Sequence, residues 1–101
     1  MARRVLLATA DLVFRSKLGQ AVTTAGGEVI REGERCDLAV VAVETSGALQ
    51  RIQAWVAGGV PVLAYGPHVR ADLLRAAREA GATAVPNSEV ERRLLELLTS
   101  R

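Results

Sequence analysis

Short apolar segments alternate with longer amphipathic segments along the whole chain. Short apolar runs predict buried strands, and strands that alternate with helices predict a parallel sheet built from βαβ units. The third and fourth runs are apolar almost without interruption, as expected for inner strands that helices cover on both faces. The predicted strands are Val5–Thr9, Val29–Ile30, Leu38–Val43, Val60–Tyr65 and Ala82–Val85.

The amphipathic segments predict four helices, because their apolar residues recur every three or four positions. The first helix begins after Asp11 and ends at Gly26-Gly27, and the second ends at Gly58-Gly59. The last begins with Ser88–Glu91, whose sequence SEVE is that of a capping box. The predicted inward faces are Phe14, Leu18, Ala21, Val22 and Ala25 in the first helix; Ala48, Leu49, Ile52, Trp55 and Val56 in the second; Val69, Leu73, Ala76, Ala77 and Ala80 in the third; and Val90, Leu94, Leu97 and Leu98 in the last.

The connection between the second and third strands is unusually short. Only residues 31–37 (REGERCD) separate Ile30 from Leu38, whereas a crossover between parallel strands usually needs about a dozen residues or more. We therefore predict a loop or a single turn where the alternating pattern would place another helix. The expected fold is one α/β domain, residues 1–101, with a doubly wound parallel sheet of five strands.

Composition narrows the class of protein. Half of the residues are hydrophobic, mostly Ala, Val and Leu, so a chain of this length can bury a core without covalent cross-links. Cys36 is the only cysteine, which excludes an intramolecular disulfide and a cysteine-rich metal site and suits a reducing, cytoplasmic location. The apolar runs are far shorter than the ~20 residues of a membrane span, and we expect no membrane contact.

The charge of the chain is weakly positive. The formal net charge is +2, and arginine supplies all but one of the basic residues. Positive charge is compatible with nucleic-acid binding. The chain has no long basic run, however, and Phe14, Trp55 and Tyr65 are too few aromatic residues for the stacking surface of a single-strand binder. We therefore expect no nucleic-acid partner.

Four stretches of the sequence resemble the receiver domain of bacterial two-component response regulators. They are VLLATAD, CDLAVVAVETSG, GVPVLAYG and AAREAGATAV, and the resemblance covers nearly the whole chain. The resemblance implies a flavodoxin-like sheet of strand order 2-1-3-4-5. It also implies a functional crevice at the carboxyl ends of the strands, where the strand order reverses.

The residues that receivers use for phosphoryl transfer are replaced in this sequence. Receivers carry two acids after the first strand, an aspartate at the end of the third strand and a Ser or Thr at the end of the fourth. The acidic pair falls on Thr9 and Ala10, with Asp11 one place further on. The phosphoacceptor position falls on Ala42, and the hydroxyl position falls near Gly66.

The lysine of receivers is also missing. It follows the fifth strand in the family and would fall near Val85 to Asn87, but the only lysine is Lys17, inside the first predicted helix. An aspartyl phosphate needs a carboxylate nucleophile, a metal to neutralise charge and a cation for the developing oxyanion. The sequence therefore resembles a degenerate receiver, or pseudo-receiver, that works without phosphorylation.

The loops at the crevice hold a hypothetical ligand-binding set. Asp11 is either the N-cap of the first helix or a cation ligand, and Thr45 and Ser46 are either caps of the second helix or part of an anion site. Glu44 is either a fixed carboxylate that takes the place of the phosphoryl group or a solvated loop residue. His68 either binds a ligand or lies on the surface. The complete set is Thr9, Asp11, Glu44, Thr45, Ser46, Gly47, Gly66 and His68.

The sequence also suggests interaction surfaces. Trp55 lies at the margin of an apolar stripe, where it belongs to the core or anchors an interface. Receivers commonly pair through their last two helices, and Arg75, Arg78 and Arg92 lie on the corresponding segments. These arginines either form pairs across a homodimer or are solvated.

Two functions from different classes follow from these observations. The first is a regulatory protein that binds a protein partner, or itself, without phosphoryl transfer. The alternative is a domain that binds a small ligand or an anion in the crevice. No nucleophile–base pair, dinucleotide fingerprint or P-loop is present, so we expect no enzymatic activity, no cofactor and no metal.

Overall fold

A computed structural model describes residues 2–99 of the chain. In order along the chain, the elements are β1 (Arg4–Ala8), α1 (Leu12–Thr24), β2 (Glu28–Ile30), β3 (Leu38–Ala42), α2 (Ala48–Ala57), β4 (Val62–Gly66), α3 (Ala71–Glu79), β5 (Thr83–Pro86), a 3-10 turn (Asn87–Glu89) and α4 (Val90–Thr99). Over this range the five strands form one all-parallel sheet in the order β2-β1-β3-β4-β5. The predicted flavodoxin-like fold and strand order are therefore confirmed.

Burial follows the position of each strand in the sheet. Every residue of β4 is buried, and in β3 only Ala42 is partly exposed. The three-residue strand β2 lies at an edge and buries only Ile30. Uninterrupted apolar sequence thus coincides with strands that have neighbours on both sides and helices on both faces.

The helices divide the core into two halves. Leu18 and Val22 of α1 and Leu94 of α4 pack with Val5, Val40 and other residues of one sheet face. Ile52 of α2 and Leu74 of α3 pack on the opposite face. That second face is rich in alanine and valine: its strand residues are Ala8, Ala39, Val41, Val62, Ala64 and Ala84.

The predicted inward face of α3 is wrong at its start. Val69 is 74% exposed, because it lies in the turn before the helix, where the Arg70 amide donates to the Pro67 carbonyl over 2.9 Å. The buried residues of α3 are Leu74 and Ala77. Leu49 was also expected inward, but it is 38% exposed in the first turn of α2. The apolar periodicity predicted both helices correctly. It predicted burial wrongly for residues at their beginnings, which do not pack against the sheet.

The start of α4 differs from the predicted capping box. Ser88 lies inside the 3-10 turn that follows β5, and α4 begins two residues later, at Val90. The serine is therefore not in front of the helix, where a capping hydroxyl must lie.

A loop connects β2 to β3. The prediction that the helix between these strands is missing or reduced is therefore confirmed. The Glu34 carboxylate accepts the Arg31 amide at 2.8 Å and the Arg4 guanidinium at 3.1 Å. Asp37 accepts the Arg4 amide at 2.9 Å, and its own amide donates to the Arg4 carbonyl at 2.7 Å. Glu32 pairs with Arg51 of α2, with oxygen–nitrogen distances of 2.6 and 2.8 Å. Side-chain hydrogen bonds thus hold this crossover in place of helical ones.

Candidate functional site

A cleft of about 530 Å³ opens at the carboxyl ends of β1, β3 and β4. It lies where the strand order reverses, between the neighbouring strands β1 and β3. Its lining residues are Thr9, Ala10, Asp11, Phe14, Ala42, Glu44, Thr45, Ser46, Tyr65, Gly66, Pro67 and Asn87. The structure therefore brings together six of the eight residues of the hypothetical ligand-binding set; Gly47 and His68 are not in the lining.

Asp11 has the geometry of an N-cap. Its Oδ1 atom accepts the amide of Val13 at 2.9 Å and that of Phe14 at 3.1 Å. The amide of Asp11 itself donates to the Thr9 hydroxyl at 3.2 Å. These bonds satisfy the first amides of α1 and place the carboxylate at the edge of the cleft.

Ala42 is the last residue of β3 and Gly66 the last residue of β4, and both line the cleft. Ala42 is opposite Tyr65 in the β3–β4 register and contributes only a methyl group to the cleft. A Cβ atom at Gly66 would collide with Cγ2 of Val43. The space for a side chain at position 66 is therefore filled by Val43, whereas the space above Ala42 remains open.

The turn from β3 into α2 is built by the backbone. The Thr45 amide donates to the Ala42 carbonyl and the Ala48 amide to the Thr45 carbonyl, each over 3.0 Å. The N-cap of α2 is Gly47, at φ 75°, a left-handed conformation that glycine adopts without strain. Among the described residues no side chain caps α2, so the capping role considered for Thr45 and Ser46 is wrong.

Glu44 takes part in an exposed charge network. Its carboxylate lies 3.6 Å from the Arg70 guanidinium, and both side chains are close to half exposed. Arg70 also binds Asp72 at 3.2 Å, and that hydrogen bond holds the pKa of Asp72 below its usual value. Exposed pairs of this kind contribute little to stability. Glu44 therefore lies at the wall of the cleft without being buried.

Tyr65 lines the cleft but does not belong to the hypothetical ligand-binding set. Its ring is 3% exposed and lies 5.0 Å from the Phe14 ring, centroid to centroid. Its buried hydroxyl has no hydrogen-bond partner among residues 2–99. Burial raises the pKa of this phenol; the nearby Thr9 hydroxyl lowers it in part, and the charge of Asp11 raises it further. The available signal was a lone tyrosine at the penultimate position of a strand that ends in the crevice.

The other candidate residues lie outside the cleft lining. His68 is exposed in the β4–α3 turn. Trp55 is half-buried beside Cys36, Asp37 and Pro61, at the amino ends of β3 and β4, with the Arg51 guanidinium 4.7 Å from its ring centroid. The cleft and Trp55 are therefore at opposite ends of the sheet.

Two of the three predicted interface arginines bind groups of their own chain. Arg78 donates twice to the carbonyl of Ala84 on edge strand β5, at 2.8 and 3.2 Å. Arg92 pairs with Glu89 at 3.1 Å and with Glu96 at 2.8 Å. Arg75 is exposed on α3.

Residues 2–99 contain neither a cluster of metal-ligating side chains nor a helix suited to a membrane. Across residues 2–99, no group of three or more His, Cys, Asp or Glu side chains is placed to hold a metal ion. No helix in the described part of the chain has the length and apolar character needed to cross a membrane.

Comparison with known proteins identifies the fold. No family model matches the sequence, and no curated protein matches it. A response regulator from Thermotoga maritima superposes with a TM-score of 0.79 at 20% identity, over 100% of both chains. The chemotaxis response regulator CheY4 of Vibrio cholerae superposes with a TM-score of 0.77 at 16% identity, over 97% of both chains. A CheY-like receiver domain protein from Methanospirillum hungatei gives a TM-score of 0.79 at 18% identity, over 97% of this chain and 91% of that one. The chain thus has the fold of response regulator receiver domains.

Proposed function

We propose that this chain is a receiver-like regulatory protein that acts without phosphoryl transfer, by binding a protein partner. The observation that supports the first part most directly is the chemistry of the cleft. The acceptor position is Ala42, Asp11 caps a helix, and the cleft lining holds no lysine. The two carboxylates of the lining are engaged elsewhere, Asp11 in the cap of α1 and Glu44 in an ion pair with Arg70, and no lysine is present to neutralise a transferred group.

The position of Gly66 supports the same conclusion. A hydroxyl side chain there would help to hold a transferred phosphoryl group. Val43, buried in the turn directly after β3, occupies that space instead.

The surface around the cleft supports a role in protein binding. Among the described residues, five large apolar side chains are exposed, and four of them surround the carboxyl edge of the sheet. Leu12 and Val13 begin α1, Leu49 lies in the first turn of α2, and Val69 lies in the β4–α3 turn. Exposed apolar side chains concentrated around one edge are typical of an interaction surface.

The phosphorylation test uses the full chain with acetyl phosphate and Mg²⁺. We expect no gain of a phosphoryl group by intact mass and no movement of the Ala42 and Gly66 amide resonances, while a receiver with an acceptor aspartate gains one group under the same conditions. A gain on this chain would overturn the proposal. Trp55 fluorescence is a poor reporter here, because Trp55 lies at the other end of the sheet.

Self-association is the alternative mode of protein binding. A homodimer interface formed by α3 and α4 has less support than an interface at the edge of the cleft, because Arg78 and Arg92 already bind groups of their own chain. Sedimentation equilibrium distinguishes the two arrangements. A monomer at high micromolar concentration favours a different protein as the partner; a dimer that Arg75→Glu dissociates favours the α3–α4 surface.

A second candidate function is the binding of a small ligand or an anion in the cleft. Its volume of about 530 Å³ is within the range of ligand pockets. The buried Tyr65 hydroxyl offers such a ligand an unused hydrogen-bonding group. A ligand that binds the full chain in the absence of any protein partner, with amide shifts confined to the cleft, would favour this function over the first.

A further inference from the structure

The charge of the cleft is opposite to the charge of the chain. The chain has a formal net charge of +2, but the described lining residues of the cleft include two carboxylates, Asp11 and Glu44, and no Lys, Arg or His. A concave site with low-dielectric walls strengthens the field of the charges that line it. This cleft therefore favours a positively charged group.

We infer that the cleft receives one basic side chain, lysine or arginine, from the protein partner. This inference rests on the proposed function and adds to it the chemistry of the contact. The carboxylates of Asp11 and Glu44 provide the negative charge, and the walls formed by Phe14, Ala42 and Tyr65 provide apolar surface for the methylene stem.

The Tyr65 hydroxyl is an independent indication of a ligand. It is buried without a well-formed hydrogen bond in the described structure, its interaction with the Thr9 hydroxyl is too poorly aligned to count as one, and Thr9 and Asp11 both line the cleft. Buried hydroxyl groups nearly always have a hydrogen-bond partner, and a buried hydroxyl without one lowers the stability of the protein. A guanidinium or ammonium group that displaces the side chains covering this oxygen would donate an N–H to it and remove that loss of stability.

Glu44 already binds a guanidinium of its own chain. Arg70 lies 3.6 Å from Glu44, but its closer contact is to Asp72, with oxygen–nitrogen distances of 3.2 and 3.3 Å. Arg70 therefore keeps a charged partner when an incoming base takes its place at Glu44. The exchange replaces one exposed ion pair by a pair inside the cleft.

The surroundings of the cleft favour a protein side chain over a free amine. Leu12, Val13, Leu49 and Val69 are exposed around the same edge of the sheet, outside the cleft lining. A free amine that fits the cleft leaves these side chains in water. A polypeptide that inserts one basic side chain covers them with its neighbouring residues.

The first experiment is an NMR titration of the ¹⁵N-labelled full chain with Nα-acetyl-arginine methylamide. The control ligand is Nα-acetyl-citrulline methylamide, which has nearly the same shape and no charge. We expect the arginine compound to shift the amides of Thr9, Ala42 and Tyr65 in fast exchange. We expect the citrulline compound to bind at least fivefold more weakly, and the difference to shrink as salt is added.

Matched variants identify the groups responsible. Asp11→Asn keeps the helix cap, since asparagine caps as well as aspartate, and removes the charge. Glu44→Gln keeps the shape of that side chain. Each should weaken arginine binding several-fold, and Tyr65→Phe should weaken it about twofold or more if its oxygen accepts a hydrogen bond. Glu91→Gln, on the exposed face of α4, is the control and should leave binding unchanged.

Three results would overturn the inference. They are equal binding of the citrulline compound, amide shifts at the Trp55 end of the sheet in place of the cleft, and stronger shifts of the same amides by Mg²⁺ or inorganic phosphate than by the arginine compound.

Peptide display distinguishes a protein side chain from a free amine. Random peptides selected on the immobilised full chain should be enriched in Arg or Lys next to apolar residues, and the Asp11→Asn, Glu44→Gln double variant should lose them. Butylamine that binds as tightly as these peptides would overturn the assignment to a protein side chain. Failure of the proposed function is seen separately, as a phosphoryl mass gain with acetyl phosphate.

Discussion

The two ends of the sheet are organised in opposite ways. The crossover between β2 and β3 has its polar groups paired: Glu34 and Asp37 bind Arg4 at the amino end of the sheet, and Glu32 binds Arg51 of α2 along its side. At the carboxyl end, the Tyr65 hydroxyl lacks a partner in the described structure, and large apolar side chains lie in solvent. Groups that contribute to stability are concentrated at one end, and groups left available for a ligand at the other.

This difference explains how the fold tolerates the loss of a helix. A helix in the second crossover would satisfy its own backbone groups. Here the loop uses three carboxylates and two arginines of neighbouring elements, and Gly33 at φ 87° supplies the tight reversal. The loops at the carboxyl end are held mainly by backbone turns and by the Asp11 cap, together with Arg15, which donates to the Leu7 carbonyl over 2.9 Å, and the exposed pairs of Arg70 with Glu44 and Asp72.

The largest expected effect comes from restoring a side chain at Gly66. Gly66→Ala forces a Cβ atom against Val43 and should lower the free energy of unfolding by about 1–3 kcal/mol, as over-packing of a core does. Urea denaturation measures it. Gly58→Ala is the control: it meets only ordinary contacts, at 3.5 Å or more, and should change stability far less.

The cause of that loss can be isolated with a double-mutant cycle. Val43→Ala removes the methyl groups that collide with the new Cβ, so Gly66→Ala should be much less destabilising in its presence. Additive losses in the double variant would contradict the conclusion that Val43 fills the space at position 66.

The next effect tests the amino end. Glu34→Ala removes the acceptor of the Arg31 amide and of the Arg4 guanidinium and should cost about 1.5 kcal/mol, in the range for hydrogen bonds to a charged group. Amide hydrogen exchange should rise first in residues 31–37. Glu44→Ala at the carboxyl end removes an equally exposed carboxylate and should cost less than about 0.5 kcal/mol. Equal losses at both ends would remove the distinction between them.

The fold was predictable because the signals for it are repeated along the chain. Five apolar runs and four amphipathic segments agree with one another, and the length of the 31–37 segment favours a loop or a single turn over a regular helix. The beginnings of helices were less predictable. Val69 lies just before α3 and Leu49 lies in the first turn of α2, although both fit the helical spacing of the residues that follow them. Helical spacing alone does not show at which residue a helix begins.

The candidate site was predictable in position and less so in detail. Parallel strands bring the loops after β1, β3 and β4 together, so Thr9, Asp11 and Glu44 meet at one cleft. Which residue faces the cleft depends on rotamers and strand twist. For that reason the sequence could not show that Tyr65 turns its hydroxyl toward Thr9 and Asp11 while Gly47 and His68 stay outside.

A smaller effect separates the two interpretations of Asp11. Asp11→Ala removes the acceptor of the Val13 and Phe14 amides and should lower the free energy of unfolding by about 1 kcal/mol. Asp11→Asn should stay within a few tenths of a kcal/mol of the natural chain, since it keeps the cap. Urea denaturation of both variants measures the difference. A loss as large for asparagine as for alanine would mean that the charge, and not the cap, stabilises the native protein.

The smallest effect at neutral pH, and the one most specific to the carboxyl end, is that of Tyr65→Phe. The lost hydroxyl has no described partner, so the variant should be as stable as the natural chain or slightly more stable at pH 7. Burial raises the pKa of Tyr65 above the value of about 10 that it has when unfolded. The unfolded chain therefore loses its phenolic proton first, and the stability that the neutral phenol contributes is present below about pH 10 and lost as pH rises above it. Urea denaturation at pH 7 and about pH 10.5 should show the natural chain losing more stability than Tyr65→Phe. Parallel losses would mean that this hydroxyl is solvated. The carboxyl end of the sheet would then have no buried hydroxyl without a partner, and the difference between the two ends of the sheet would not hold.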